Sequence, residues 1–213
     1  MRIGLINENS QANKNKIIFE KLNKVANHYH HEVINFGMID SEDKSLTYVE
    51  EGLLAAILLN TKTVDFVITG CGTGEGAMLA LNSFPNVFCG LVSEPLDAYL
   101  FSQINAGNAI SIPFAKEFGW WSEITLYNIF EQLLKQDFGG GYPIERREPE
   151  QRNKKILDNV KKITCKSMIE ILKEIDQTLL MNVIDRPFFK ENFEKYAEEG
   201  ELKTYLLSLI KKW

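Results

Sequence analysis

The chain is short of the residues that staple or metallate a fold. Its 213 residues include three cysteines, Cys71, Cys89 and Cys165, an odd and widely spaced set. That pattern predicts neither a disulfide framework nor a zinc ribbon, and it fits a reducing, cytoplasmic setting. The three histidines, His28, His30 and His31, are bunched and show no metal-ligand spacing with cysteine or carboxylate. They read as a solvated helix end, so no metal is expected. No apolar run approaches the roughly 20 residues of a membrane helix. The opening Met1-Arg2-Ile3-Gly4-Leu5 enters a strand pattern directly, without the sections of a signal peptide. Positive charge is also scarce: 24 Lys and Arg against 29 Asp and Glu leave a net charge of −5. No basic face is available for nucleic acid. A small anionic substrate stays open, because one or two local cations are enough to hold it. There is no internal repeat and no low-complexity segment.

What is present is an ordinary soluble composition, 45% apolar and 25% charged. The length suits one α/β domain with an appendage. Strand-like runs at 3–7, 33–36, 65–69, 87–92 and 109–112 alternate with helical spacing at 13–27, 47–60, 77–83, 95–104 and 120–135. Thr47 with Glu50 forms a capping-box pattern, and Pro95 stands at a first-turn position. Five β-α repeats imply a parallel sheet covered by helices on both faces. Ligands of such sheets sit at the carboxyl ends of the strands, so loops starting at Asn7, Gly70, Ser93 and Pro113 should line one rim.

The division expected is an α/β domain over 1–138, an arm over 139–148 and a helical extension over 149–213. Gly139-Gly140-Gly141-Tyr142-Pro143 marks the break. Four helices are expected in the extension, at 151–163, 167–180, 187–199 and 201–211, with Ser167 and Glu170 as a second capping box. The extension should pack on the sheet domain or on a second subunit, and Lys211-Lys212 complement its last helix end. For Trp120 and Trp121, core or interface packing outweighs sugar stacking. Glu145-Arg146-Arg147-Glu148 reads equally as a solvated arm and as an anion contact in a partner's site. Cys89 reads as a buried apolar residue, and Cys165 carries no functional signal.

The segment Thr69-Gly70-Cys71-Gly72-Thr73-Gly74-Glu75-Gly76 is the most informative. Its glycines let the backbone turn sharply and point several N–H groups inward. The following helix adds free amides and a positive dipole end. A thiol at the start of such an anion site has its thiolate favoured. A thiolate base beside an oxyanion nest is what proton abstraction next to a carbonyl requires. Passive anion binding remains a rival reading, as does a small buried Cys. So does a dinucleotide fingerprint, since Gly72, Gly74 and Ala77 satisfy G-x-G-x-x-A and Glu94 falls near the ribose-binding distance.

At this loop the chain resembles the type B ribose-5-phosphate isomerase and galactose-6-phosphate isomerase family. The resemblance rests on Cys71-Gly72-Thr73-Gly74 with Gly76 and Asn82, on Ser93-Glu94-Pro95, and on Asn105-x-x-Asn108, over about 1–147. It implies a Rossmann-like, three-layer fold with a five-stranded parallel sheet. It further implies a cofactor-free aldose–ketose isomerase working through a cis-enediolate, as a homodimer or tetramer with shared active sites. Cys71 is then the base. The Gly72, Thr73 and Gly74 backbone with the Asn105 side chain is the enediolate cradle, and the Thr73 hydroxyl assists proton movement. Glu8 stands where the family has an Asp that binds substrate hydroxyls.

Three positions depart from the family pattern. Asn9 and Ile104 replace histidines, the second of which opens sugar rings, and Ala115 replaces an Arg that holds phosphate. Arg146 or Arg147 is the candidate replacement, across the dimer interface. A missing phosphate Arg removes a charge-assisted pair of about 1.5–3 kcal/mol. Both main losses point to an open-chain substrate with a carboxylate. The long form of the family, which carries a helical extension like this one, includes ketol-isomerases of 4-deoxy-L-threo-5-hexosulose uronate, a product of glycosaminoglycan breakdown. That is the leading expectation. A pentose or hexose phosphate is the runner-up, with a non-catalytic sugar sensor and a nicotinamide oxidoreductase behind it.

Overall fold

The computed structural model describes residues 1–116 and 118–211; Lys212, half of the expected terminal lysine pair, and Trp213 lie outside the described residues. Five parallel strands form one sheet: β1 (Arg2–Leu5), β2 (Glu32–Asn35), β3 (Phe66–Cys71), β4 (Cys89–Leu91) and β5 (Ala109–Pro113), in the order β2-β1-β3-β5-β4. Helices α1 (Asn15–His28) and α5 (Ser122–Leu134) cover one face, where Ile18, Leu22, Ile129 and Phe130 pack on Ile3, Leu5 and Ile68. Helices α2 (Tyr48–Asn60) and α3 (Glu75–Asn82) belong to the opposite face, where Leu53, Ile57 and Leu81 meet Val67 and Ile6. This is the Rossmann-like three-layer arrangement, with period-2 alternation along β3 sending Phe66 and Ile68 one way and Val67 the other.

Both capping boxes form. The Thr47 amide donates to Glu50 Oε2 at 2.7 Å while the Glu50 amide donates to Thr47 Oγ1, and Ser167 with Glu170 repeats the pattern. The remaining helices are α4 (Pro95–Leu100), which runs into a π-turn at Phe101–Asn105, and α6 (Arg147–Thr164), α7 (Met168–Glu174), α8 (Gln177–Ile184), α9 (Pro187–Tyr196) and α10 (Glu201–Ile210). The expected helix over 167–180 is thus two, broken where Asp176 leaves helical geometry and caps α8 through the Thr178 and Leu179 amides. Leu172, Leu180, Val183, Phe189, Phe193 and Leu206 share the cluster under α2. The extension therefore adds a layer outside α2. Arg186, buried to 2% exposure, fastens it by donating to the Lys44 carbonyl at 2.7 Å and to Asp43 Oδ2 at 3.2 Å.

Helix α6 differs: none of its residues is buried, and Ile156, Leu157, Val160 and Ile163 stand exposed on it. Trp120 and Trp121 are 92% and 64% exposed, so neither packs in the core of this chain. Among the described residues no helix is long and apolar enough to cross a membrane.

Candidate active site

The loop at the end of β3 is held by its carbonyls. The Phe114 amide donates to the Cys71 carbonyl at 3.0 Å, the Ala115 amide to the Gly72 carbonyl at 2.9 Å, and the buried Ser111 hydroxyl to the Gly74 carbonyl at 2.6 Å. The amides of Gly72, Thr73 and Gly74 have no acceptor among the described residues. Three free donors on a clamped loop are a preformed anion nest. Two glycines are sterically required here. A Cβ on Gly70 would lie 2.1 Å from the Ile112 carbonyl oxygen, and Gly74 sits at φ +76° with Leu91 2.6 Å from the place of a Cβ. Gly76 opens against the Tyr48 ring.

Cys71 is the last residue of β3, not a loop residue as the strand expected over 65–69 implied. It is buried, with 9% of the residue's surface exposed. Its Sγ lies 4.0 Å from Thr73 Oγ1, and that hydroxyl accepts from the Glu75 amide at 3.3 Å. Thr73 thereby caps the start of α3 while facing the thiol.

A six-residue 3-10 turn, Asn9–Lys14, precedes α1 and was not foreseen. Glu8 caps it: the carboxylate, only 3% exposed, accepts from the Ser10 amide at 2.8 Å and from the Ser10 hydroxyl. Gln11 Nε2 donates to Ser10 Oγ at 2.9 Å, and Lys14 Nζ donates to Gln11 Oε1 at 2.6 Å. Gln11 also lies 3.7 Å from where a Gly72 Cβ would be. The turn therefore joins the loop at the same rim. Asn9 is exposed and donates to Ser45.

Sequence reasoning also missed Glu51. On α2, it is fully buried and accepts from the Thr69 hydroxyl, while Oε2 has no partner. Thr69 and Cys71 share a face of β3 by the period of two, so Glu51 lies beneath the thiol. Burial holds its carboxyl well above the usual range, opposed by the Thr69 hydroxyl, with Glu8 and Cys71 adding to the rise. The protonated form of Glu51 is therefore favoured inside the fold. The available signal was its helix: α2 is apolar nearly all round, and a charged residue in such a helix must be buried.

The other predicted residues do not join this rim. Asn105 precedes β5, whereas Cys71 pairs with Pro113 at the far end of that strand. Four strand steps of about 3.3 Å put them roughly 13 Å or more apart along the sheet. Asn105 lines a cleft of about 490 Å³ beside edge strand β4 with Asp97, Lys154 and Leu157, and Cys71 is not in its walls. Within one chain, then, the expected cradle of Gly72, Thr73, Gly74 and Asn105 is not assembled. Asn108 is a structural clamp: its Oδ1 accepts from the Phe88 amide at 2.8 Å and its Nδ2 donates to the Asn86 carbonyl at 2.6 Å. Arg146 is exposed, beside the Tyr142-Pro143 arm. Cys89 is buried and its thiol is pushed up, chiefly by desolvation. No metal-holding cluster of three His, Cys, Asp or Glu occurs among the described residues. The dinucleotide reading finds no support in α3, which has only eight residues.

A parallel sheet with a thiol and free loop amides at its carboxyl rim defines a Rossmann-like α/β protein with a candidate site at that rim. The model of the Ribose/Galactose Isomerase family matches residues 3–148, and a second model, described as ribose-5-phosphate isomerase, matches 163–209. The chain belongs to the ribose/galactose isomerase family, and it is a sugar isomerase by that membership. A solved 4-deoxy-L-threo-5-hexosulose-uronate ketol-isomerase, in complex with a tartrate, is 52% identical with a TM-score of 0.96, over 99% of this chain and 100% of its own. A ribose-5-phosphate isomerase from Vibrio parahaemolyticus is 48% identical with a TM-score of 0.95, over 98% and 99%. The type B ribose 5-phosphate isomerase of Trypanosoma cruzi shares the fold at 17% identity, with a TM-score of 0.64 over 76% of this chain and 98% of its own. Among curated proteins, the plasma serine protease inhibitor of Bos taurus is 28% identical over 136 residues, 63% of this chain and 31% of that protein. The chain spans about a third of that relative's length, and the match carries no argument about the site.

Proposed function

We propose that the protein is a cofactor-free ketol-isomerase of an open-chain sugar acid, 4-deoxy-L-threo-5-hexosulose uronate, working in the cytoplasm. The observation that carries this reading is the clamped loop, which leaves three amide donors free beside the Cys71 thiol. The Cys71 thiolate removes the proton from the carbon next to the substrate carbonyl. The charge moves onto the carbonyl oxygen, where the Gly72, Thr73 and Gly74 amides hold the cis-enediolate. Return of the proton to the neighbouring carbon completes the shift, with the Thr73 hydroxyl beside the sulfur to pass protons between oxygens. Glu8 accepts from substrate hydroxyls. The substrate assignment is supported by the full-length, 52% identical ketol-isomerase and by Ile104, which cannot open a sugar ring.

The active unit is a homodimer in which a partner's Asn105, and its Arg146, complete the site. The separation of Asn105 from Cys71 within one chain supports this, as does the unburied apolar face of α6 beside the Asn105 cleft.

The test is a substrate panel: this uronate, ribose 5-phosphate and galactose 6-phosphate, each with wild type and Cys71→Ala. The reading expects uronate turnover that Cys71→Ala abolishes. Turnover of a sugar phosphate alone would transfer the assignment to that substrate, in line with the 48% identical relative.

A further inference from the structure

We infer that Lys14 is the residue that holds the substrate's carboxylate; this rests on the sugar-acid reading above. Lys14 ends the 3-10 turn, half-buried, and its Nζ donates to the Phe114 carbonyl as well as to Gln11 Oε1. Phe114 is the same residue whose amide clamps the Cys71 carbonyl. Phe114 thus links the Lys14 ammonium, through its carbonyl, to the Cys71 backbone, through its amide. Ala115, next along, contributes no charge and packs 3.7 Å from the place of a Gly72 Cβ.

Among the described residues Lys14 has no counter-ion. Its two acceptors are neutral, and the Phe118 ring covers it with the centroid 4.5 Å away. Desolvation by burial lowers its pKa. An ammonium has three donors, and two are accounted for.

The hydrogen-bonded run Glu8–Ser10–Gln11–Lys14 then has a chemical direction. It presents an acceptor for hydroxyls at one end and a cation at the other, with the Cys71–Gly74 loop alongside through Gln11. A linear molecule with hydroxyls, a carbonyl and one terminal carboxylate matches that order. An ammonium holds either a carboxylate or a phosphate as a point charge, so the choice of carboxylate here comes from the sugar-acid reading.

The test compares Lys14→Gln and Lys14→Arg with wild type, using the uronate as substrate and L-tartrate and threitol as probes of equal carbon number. Lys14→Gln should raise KM about 10–100-fold with kcat nearly unchanged, the pattern of lost uniform binding. It should weaken tartrate binding by a similar factor and leave threitol binding as it was, while Lys14→Arg restores most of both. Lys14→Met, which keeps the stem length, serves if glutamine disturbs the turn. Unchanged KM and tartrate binding overturn the inference, as does equal weakening of tartrate and threitol. Tartrate binding is read by calorimetry without turnover. An enzyme inactive on every sugar would strike the isomerase reading and leave this inference standing on its own measurement.

Discussion

The two rims of the sheet are built differently. At the carboxyl rim, Glu8, Ser10, Gln11 and Lys14 form one hydrogen-bonded run, Thr69 and Glu51 form a separate pair, and the carbonyls of Cys71, Gly72 and Gly74 are clamped. At the amino rim, Asn108 is fully engaged in holding the loop, while Asn105 lines an open cleft beside edge strand β4. The first rim holds its turn and loop in place through these bonds. The other offers an amide and an exposed arginine whose side chains have no hydrogen-bond partner among the described residues. In the proposed homodimer, a second copy would bring the two together.

The comparison breaks most sharply at Cys71. Replacing it with Ala should lower kcat by about 10²–10⁴-fold, the usual worth of a positioned base, with folding intact by circular dichroism. Asn105→Ala should cost about 10²–10³-fold as a lost oxyanion donor. Mixing the two inactive variants by denaturation and refolding should then restore roughly a quarter of wild-type turnover, because half the dimers are mixed and each has one intact site. No recovery would place Asn105 outside the site. Asn108→Ala should destabilise by about 1 kcal/mol, since one half-buried and one exposed hydrogen bond are lost, with KM unchanged; denaturant unfolding and steady-state kinetics measure the pair.

Glu51→Gln should give the smallest effect, and it is pH-dependent. Burial raises the folded-state pKa of Glu51 above its unfolded value. The native state then binds more protons than the unfolded one, so Glu51 costs increasing stability as pH rises above the ordinary carboxylate range. Gln removes that slope. The Tm of Glu51→Gln relative to wild type should therefore be higher at pH 8 than at pH 5. A constant difference would mean that Glu51 is ionised in the fold.

Much of the architecture was legible in the sequence because period and punctuation agree along the chain. Thr47 with Glu50, and Ser167 with Glu170, mark helix starts that the structure keeps. The apolar strands alternate with amphipathic segments in the right order. The 3-10 turn was not legible, because Asn-Ser-Gln-Ala-Asn-Lys carries one apolar residue and no period to detect. That is why Gln11 and Lys14 were missed although Glu8 beside them was not. Cys71 was placed in a loop because Gly70 looks like a strand breaker, yet the strand runs through it, where β5 approaches too closely for any side chain. Asn105 raised a different difficulty. Sequence order reveals which residue types an enediolate needs, but the rim each occupies follows from strand direction and register.

The most direct measurement is solvent deuterium incorporation. In D2O, wild-type enzyme turning over the uronate should place deuterium on the carbon that receives the proton, and Cys71→Ala, at matched enzyme concentration, should place none above background. Deuterium appearing at equal rates in both proteins would contradict the account, because the proton would then be moving without the thiol.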